Sequence, residues 1–191
     1  LAMQGNPQIL QCLFVPYNLC IQRDARGAQL QELAPLIVSR HAGERYLGYL
    51  EAQRQRLLGE RGQKKVNRPE LEAKYGYDTK YAMHILRLGF QGVELMSTGK
   101  LTLPIAETDR AYIYAVRTGD VPIQEALTKA GELERQIKDL LHDAPIQAEP
   151  ARDQIEAWMV AMYFENWKAD AIVTQHFEAD IRAWHGLTRC N

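Results

Sequence analysis

The sequence holds little cysteine, few aromatic residues and no long apolar run. Its three cysteines, Cys12, Cys20 and Cys190, are odd in number and none belongs to a CxxC pair, so neither a disulfide framework nor a zinc site is indicated. Free thiols fit a reducing compartment, and the expected location is cytoplasmic. Uninterrupted apolar stretches are only a few residues long, too short to span a bilayer. Charge of one sign is not in excess either. Lys and Arg number 23 against 24 Asp and Glu, a balance that argues against a globally basic nucleic-acid binder and against wholesale disorder. The chain opens on Leu1 rather than Met and lacks the pattern of a secretory signal, so its beginning is expected to be processed or truncated. No repeat period or low-complexity tract occurs.

Helical periodicity is what the 191 residues do contain. Asn6 and Pro7 form a helix entrance of cap and first-turn proline, followed by Ile9, Leu10, Leu13 and Phe14 as its apolar stripe. Further helices are predicted over 27–36, 39–58, 69–75, 77–97, 107–118, 122–142 and 153–184, the last bent near Ala169. Glycines at 59, 76, 99 and 119 act as stops. The polar stretch 59–67 reads as an exposed loop, and Leu19-Cys20-Ile21 is the one strand candidate. The expected fold is therefore mainly α, an array of about seven helices with at most one or two short strands.

Charge is patterned along this array. From Arg40 to Arg68 there are eight bases against three acids, a formal +5, while Glu132 to the C-terminus carries eleven acids against six bases. The basic segment suits a polyanion, RNA or a nucleoside triphosphate, and equally suits a solvated helix face. Only Tyr46 and Tyr49 interleave with its charges, too few for a single-strand stacking platform.

The densest cluster of functional residue types lies between Lys74 and Arg87. Lys80, His84 and Arg87 are spaced i, i+4 and i+7, one column over two helical turns. Such a column suits phosphates, with Arg as a fork, Lys as a point charge and His as a switchable donor. A solvated stripe is the competing reading. Asp78 fits a helix cap and equally a group that orients Lys80 or Arg87. Tyr75 and Tyr77 flank Gly76, a hinge with aromatic walls that a ligand can approach.

The run KYGYDTKYAMHILRLGFQGVELMSTGKL, from Lys74 to Leu101, resembles the C-terminal helical half of predicted nucleotidyltransferases of the polymerase-beta superfamily, in the branch named for an RNA repair pathway. Gln4-Gly5-Asn6-Pro7 resembles that family's GNP helix, and Leu47-Gly48-Tyr49 with Ala52-Gln53 its next long helix. The resemblance covers Gln4 to Trp167 and does not reach 169–191. It implies transfer of a nucleoside monophosphate from an NTP to a hydroxyl acceptor, such as an RNA end, with Mg²⁺ as cofactor. Tyr77 would contact a base or sugar, Lys80, His84 and Arg87 the phosphates, and Asp78 would set their geometry. Family members carry a Gly-Ser turn followed by an Asp-x-Asp pair and a third carboxylate, and those carboxylates hold their metal ions. This chain has no Gly-Ser and no Asp-x-Asp. The implied organisation is the end of a catalytic core over 1–26, a helical substrate-binding domain over 27–168 and an extension over 169–191. The metal ligands would lie upstream, and the chain by itself would be inactive.

Other chemistries have less support. The five histidines include no HxH or HxxxH pair, so no metal site is expected in this chain. Ser39 and Ser97 lack a nucleophile elbow. Trp158, Met159, Met162, Tyr163, Phe164 and Trp167 have the spacing of a core or partner face. The alternative to an enzyme is a non-catalytic helical module that binds nucleic acid or a protein partner through the Arg40–Arg68 segment or this aromatic helix.

Overall fold

The computed structural model describes residues 1–60 and 68–168. Among them are nine α-helices and no strand. They are α1 (Pro7–Cys12), α2 (Ala25–Glu32), α3 (Ala34–Ile37), α4 (Arg40–Leu57), α5 (Pro69–Tyr75), α6 (Thr79–Thr98), α7 (Glu107–Thr118), α8 (Ile123–Asp143) and α9 (Arg152–Lys168). The chain forms two compact units, Leu1–Pro150 and Ala151–Asn191. The divide falls at Pro150, where the chain cannot continue a helix from its preceding residue.

In the first unit α6 is central, packed against α4, α7 and α8, while α4 also meets α8 and α1. Its position follows from its sequence. Ala82, Ile85, Leu86, Leu88, Leu95 and Met96 are buried around more than one side, as expected of a helix inside a core rather than on its surface. Gly89 and Gly92 let α8 approach closely. A Cβ on Gly92 would stand 2.6 Å from Ile137 Cδ1, and one on Gly89 2.9 Å from Leu133 Cβ. Leu133 and Ile137 are themselves buried, so α8 keys its apolar ridge into the groove these glycines leave.

The local signals hold in the structure. Asn6 caps α1, its side-chain oxygen accepting from Gln8 N at 3.0 Å and Ile9 N at 3.3 Å, and Pro7 takes the first helical position. Gly76, Gly99 and Gly119 end α5, α6 and α7 in left-handed backbone. At Gly119 (φ 82°) space is also short, because Tyr75 Cδ1 lies 2.1 Å from where a Cβ would be.

The strand candidate at Leu19–Ile21 is corrected. Tyr17–Leu19 is a single 3-10 turn and Ile21 is fully exposed, because no neighbouring strand exists among the described residues to pair with it. The single helix predicted over 27–36 is two, α2 capped by Asp24 (Gly27 N to Oδ1, 2.7 Å) and α3 restarting at Ala34 with Pro35 in its first turn. Pro35 has no N–H to continue α2. The bend near Ala169 and the extension over 169–191 lie outside the described residues.

A staple joins distant parts of this unit. Gln147 Nε2 donates to the carbonyls of Pro35, Leu36 and Val38 at 3.2, 2.6 and 3.1 Å, and Arg40 N donates back to Gln147 O at 3.0 Å. The Arg40 guanidinium donates to the His142 and Ala144 carbonyls at the end of α8. These bonds satisfy carbonyls that the ends of α3 and α8 leave open.

In the second unit, α9 carries the aromatic set. Tyr163 and Trp167 have ring centroids 5.6 Å apart, and Phe164 meets Trp167 edge-on at 6.2 Å. Met159 and Tyr163 are exposed. No helix of the described residues is long and apolar enough to cross a membrane.

Candidate functional site

The start of α6 is fixed by Asp78. One carboxylate oxygen accepts from Lys80 N at 3.0 Å and Tyr81 N at 3.2 Å, and the other accepts from Arg68 Nη1 at 2.8 Å. Asp78 is buried, so it serves both as cap and as the partner of an arginine ten residues upstream. The structure thus answers the question the sequence left open: Asp78 anchors α6 to Arg68 rather than to Lys80 or Arg87 side chains. Arg68 also lies over the Tyr81 ring, 5.1 Å from its centroid.

Tyr77, expected to meet a base or sugar, is 5% exposed and its hydroxyl donates to Val121 O at 2.7 Å. Burial, then the Asp120 carboxylate, pushes its phenol above the usual range. Its ring is a core element that ties the start of α6 to the turn after α7, with almost no surface left for a ligand. Tyr75 packs on Gly119 instead of lining an approach to Gly76.

The column of Lys80, His84 and Arg87 is present on α6, and two of its members touch. Arg87 Nη2 donates to His84 Nδ1 at 3.0 Å, which leaves the imidazole proton on Nε2. Lys80 is exposed. Desolvation, and then the neighbouring guanidinium, lowers the His84 pKa from 6.5 to about 4. The ring is therefore a fixed neutral donor at neutral pH, not the switchable group its residue type suggests. Burial also lowers the pKa of Arg87, whose Nε is enclosed without a hydrogen-bond partner among the described residues.

This geometry has a measurable pH signature. The unfolded chain takes up a proton at His84 near pH 6.5, whereas the folded chain refuses it until about pH 4. Stability from this group is complete above 6.5 and is lost as pH falls through that interval. Chemical denaturation of wild type and His84→Gln at pH 7 and pH 4.5 should show wild type losing roughly 1–3 kcal/mol more than the variant. Equal losses would mean that the ring titrates normally.

His84 also lines a small cavity of about 150 Å³ between α1, α4 and α6, with Asn6, Pro7, Tyr49, Gln53 and Leu88 around it. Asn6 Nδ2 donates to the Tyr49 hydroxyl at 3.3 Å and so positions that ring. Gln53 is 8% exposed and makes no hydrogen bond among the described residues. Gln53 and Tyr49 were not singled out from sequence as site residues. The available signal is a glutamine on an apolar stripe: Tyr46, Leu50 and Gln53 stand i, i+4, i+7 on one buried face of α4.

The basic segment is partly used inside the protein. Arg54 pairs with Glu134 at 2.7 Å, Arg68 with Asp78, and Arg40 with carbonyls. Arg45 and Arg56 are exposed on α4 and flank a shallow groove that also includes Tyr49 and Glu44. Arg61, Lys64 and Lys65 lie outside the described residues. No group of three or more His, Cys, Asp or Glu among the described residues is placed to hold a metal ion. The described residues therefore do not supply the ligand set that paired Mg²⁺ ions require.

Comparison with known families places residues 1–171 in the polymerase-beta-like class. The chain belongs to the RNA repair pathway DNA polymerase beta family, whose model matches that span. This is the nucleotidyltransferase-related family that the Lys74–Leu101 run resembles. Searches of curated proteins and of solved structures each returned no match.

Proposed function

We propose that this chain handles the nucleotide in a nucleotidyl transfer, in which a nucleoside monophosphate moves from an NTP to a hydroxyl acceptor such as an RNA end. Lys80 and Arg87 meet the phosphates, and His84 accepts from the Arg87 guanidinium and steadies it beside them. Asp78 holds the helix start from which the column projects, and Tyr77 supports it from beneath. Mg²⁺ and its carboxylates come from outside the described residues. RNA is met through the exposed bases of the Arg40–Arg68 segment, Arg45 and Arg56 among them.

The observation that carries this reading is the state of Arg87. Its guanidinium is half-buried, yet no carboxylate among the described residues lies within ion-pair distance, in contrast to Arg54 and Arg68. A cation taken partly out of water without a counter-charge is destabilised, and an anionic ligand relieves it. Phosphate oxygens suit the planar fork of an arginine.

Titration of the native protein with NTP tests this. Arg87→Ala should weaken binding by about 1.5–3 kcal/mol, roughly 10–150-fold, with Arg87→Lys falling between it and wild type. Unchanged binding with a melting temperature several degrees lower would make the column architectural. Binding of NTP without metal-dependent transfer by the native protein would favour the non-catalytic module.

A further inference from the structure

The cavity beside His84 contains hydrogen-bonding capacity that the fold does not use. Gln53 is more than nine-tenths buried and lines the cavity with a free amide, one donor group and one acceptor. His84 lines it with its Nδ1 engaged by Arg87, which leaves Nε2–H as the donor still available. Tyr49 accepts from Asn6 Nδ2, so its hydroxyl hydrogen remains available. Pro7 and Leu88 add apolar surface. The Gln53 amide is not one of the enclosed, unpartnered groups, which are Arg40 Nε, Tyr46 OH and Arg87 Nε among the described residues, so it opens onto the cavity where a ligand can meet it.

We infer that this cavity takes the base of the bound nucleotide, with the Gln53 amide and His84 Nε2 reading its hydrogen-bonding edge between the walls of Tyr49, Pro7 and Leu88. A volume of about 150 Å³ falls below the roughly 300–1,000 Å³ of pockets for drug-sized ligands. It has room for one ring system and none for the sugar and phosphates. A nucleobase is the part of a nucleotide with that size, flat apolar faces and a donor–acceptor edge. A glutamine amide matches such an edge with two parallel hydrogen bonds. The base also sits where its phosphates can reach the column, because His84 belongs to both the cavity and the column. This inference rests on the nucleotide-handling reading above and adds where the base is recognised.

Three probes separate the two ideas: the four ribonucleosides, inorganic tripolyphosphate, and the matching NTPs, each titrated against the native protein and three variants. Gln53→Leu should weaken the preferred nucleoside and its NTP by about tenfold or more while tripolyphosphate binding stays unchanged. Gln53→Glu, which replaces the amide donor with an acceptor, should change the order of preference among the nucleosides. Arg87→Ala should weaken tripolyphosphate and NTP most, and the nucleosides less, through the loss of its hold on His84 Nδ1. If Gln53→Leu melts like wild type and binds every nucleoside as wild type does, the cavity does not read the base, whatever happens at Arg87. If only Arg87→Ala lacks an effect, the phosphate assignment fails and the base site stands. A wild-type protein that binds no nucleoside and makes no distinction among the four NTPs overturns the inference outright.

Discussion

Replacing Tyr46 with alanine should lower stability by about 3–5 kcal/mol, whereas Tyr46→Phe should leave it unchanged or raise it by about 1 kcal/mol. Tyr46 is fully buried on α4, against α6, and its Cβ stands 3.3 Å from where a Cβ on Gly92 would be. Truncation would leave a ring-sized cavity at the contact between α4 and α6. The hydroxyl is a different matter. It is enclosed without a hydrogen-bond partner among the described residues, and burial pushes the phenol pKa up. Removing an unsatisfied polar group from a packed site returns its desolvation penalty. Equilibrium denaturation of the three proteins decides the point. A Phe variant less stable than wild type by more than about 1 kcal/mol would show that the hydroxyl has a partner, with Arg87, whose charge acts on it, first in line.

Asp78→Ala should cost about 3 kcal/mol. The cap contributes about 1 kcal/mol, and a charge-assisted bond to a partly buried arginine about 1.5–3 kcal/mol. Asp78→Asn retains an acceptor for the Lys80 and Tyr81 amides and should recover the cap share only. Arg68→Met should be at least as damaging as Asp78→Asn, because it strands a carboxylate that is 4% exposed beside a helix start. The double variant Asp78→Asn/Arg68→Met should then be less destabilised than the sum of the two single changes. Strict additivity in that cycle would mean that the two side chains do not act on one another.

The elements whose signals are local were legible in the sequence. Asn6-Pro7, the Pro69–Tyr75 helix and the glycine stops at 76, 99 and 119 each depend on a cap or a backbone angle set within a few residues, and each lies where the pattern puts it. Periodicity placed α4, α6, α7 and α8 to within a residue or two of their ends for the same reason. Pairings over long separations were not legible. Arg54 counts as a free base in sequence, but Glu134 answers it from 80 residues away. His84 looks like a group that titrates near neutrality, because spacing shows neither its desolvation nor its contact with Arg87. Tyr77 looks like a ligand-facing aromatic beside a hinge glycine, because nothing local says that the Val121 carbonyl awaits its hydroxyl. Two glutamines, Gln53 and Gln91, stand on apolar stripes. The Gln91 side-chain oxygen accepts from Gln11 Nε2 at 3.2 Å, and only three-dimensional structure separates that amide from the one of Gln53, which opens onto a cavity.

The staple made by Gln147 sets a schedule for the ribosome. The carbonyls that it covers belong to residues 35, 36 and 38, so the α3–α4 junction is translated more than a hundred residues before its partner emerges. Until then those carbonyls stay in water, and the end of α8, which Arg40 also covers, does not yet exist. Closing so wide a loop is slow compared with forming the helices inside it. The first unit therefore completes in one late step after nearly all of it has been made. The helices of a shorter nascent chain, ending before residue 142, would meet around α6 with this clasp still open.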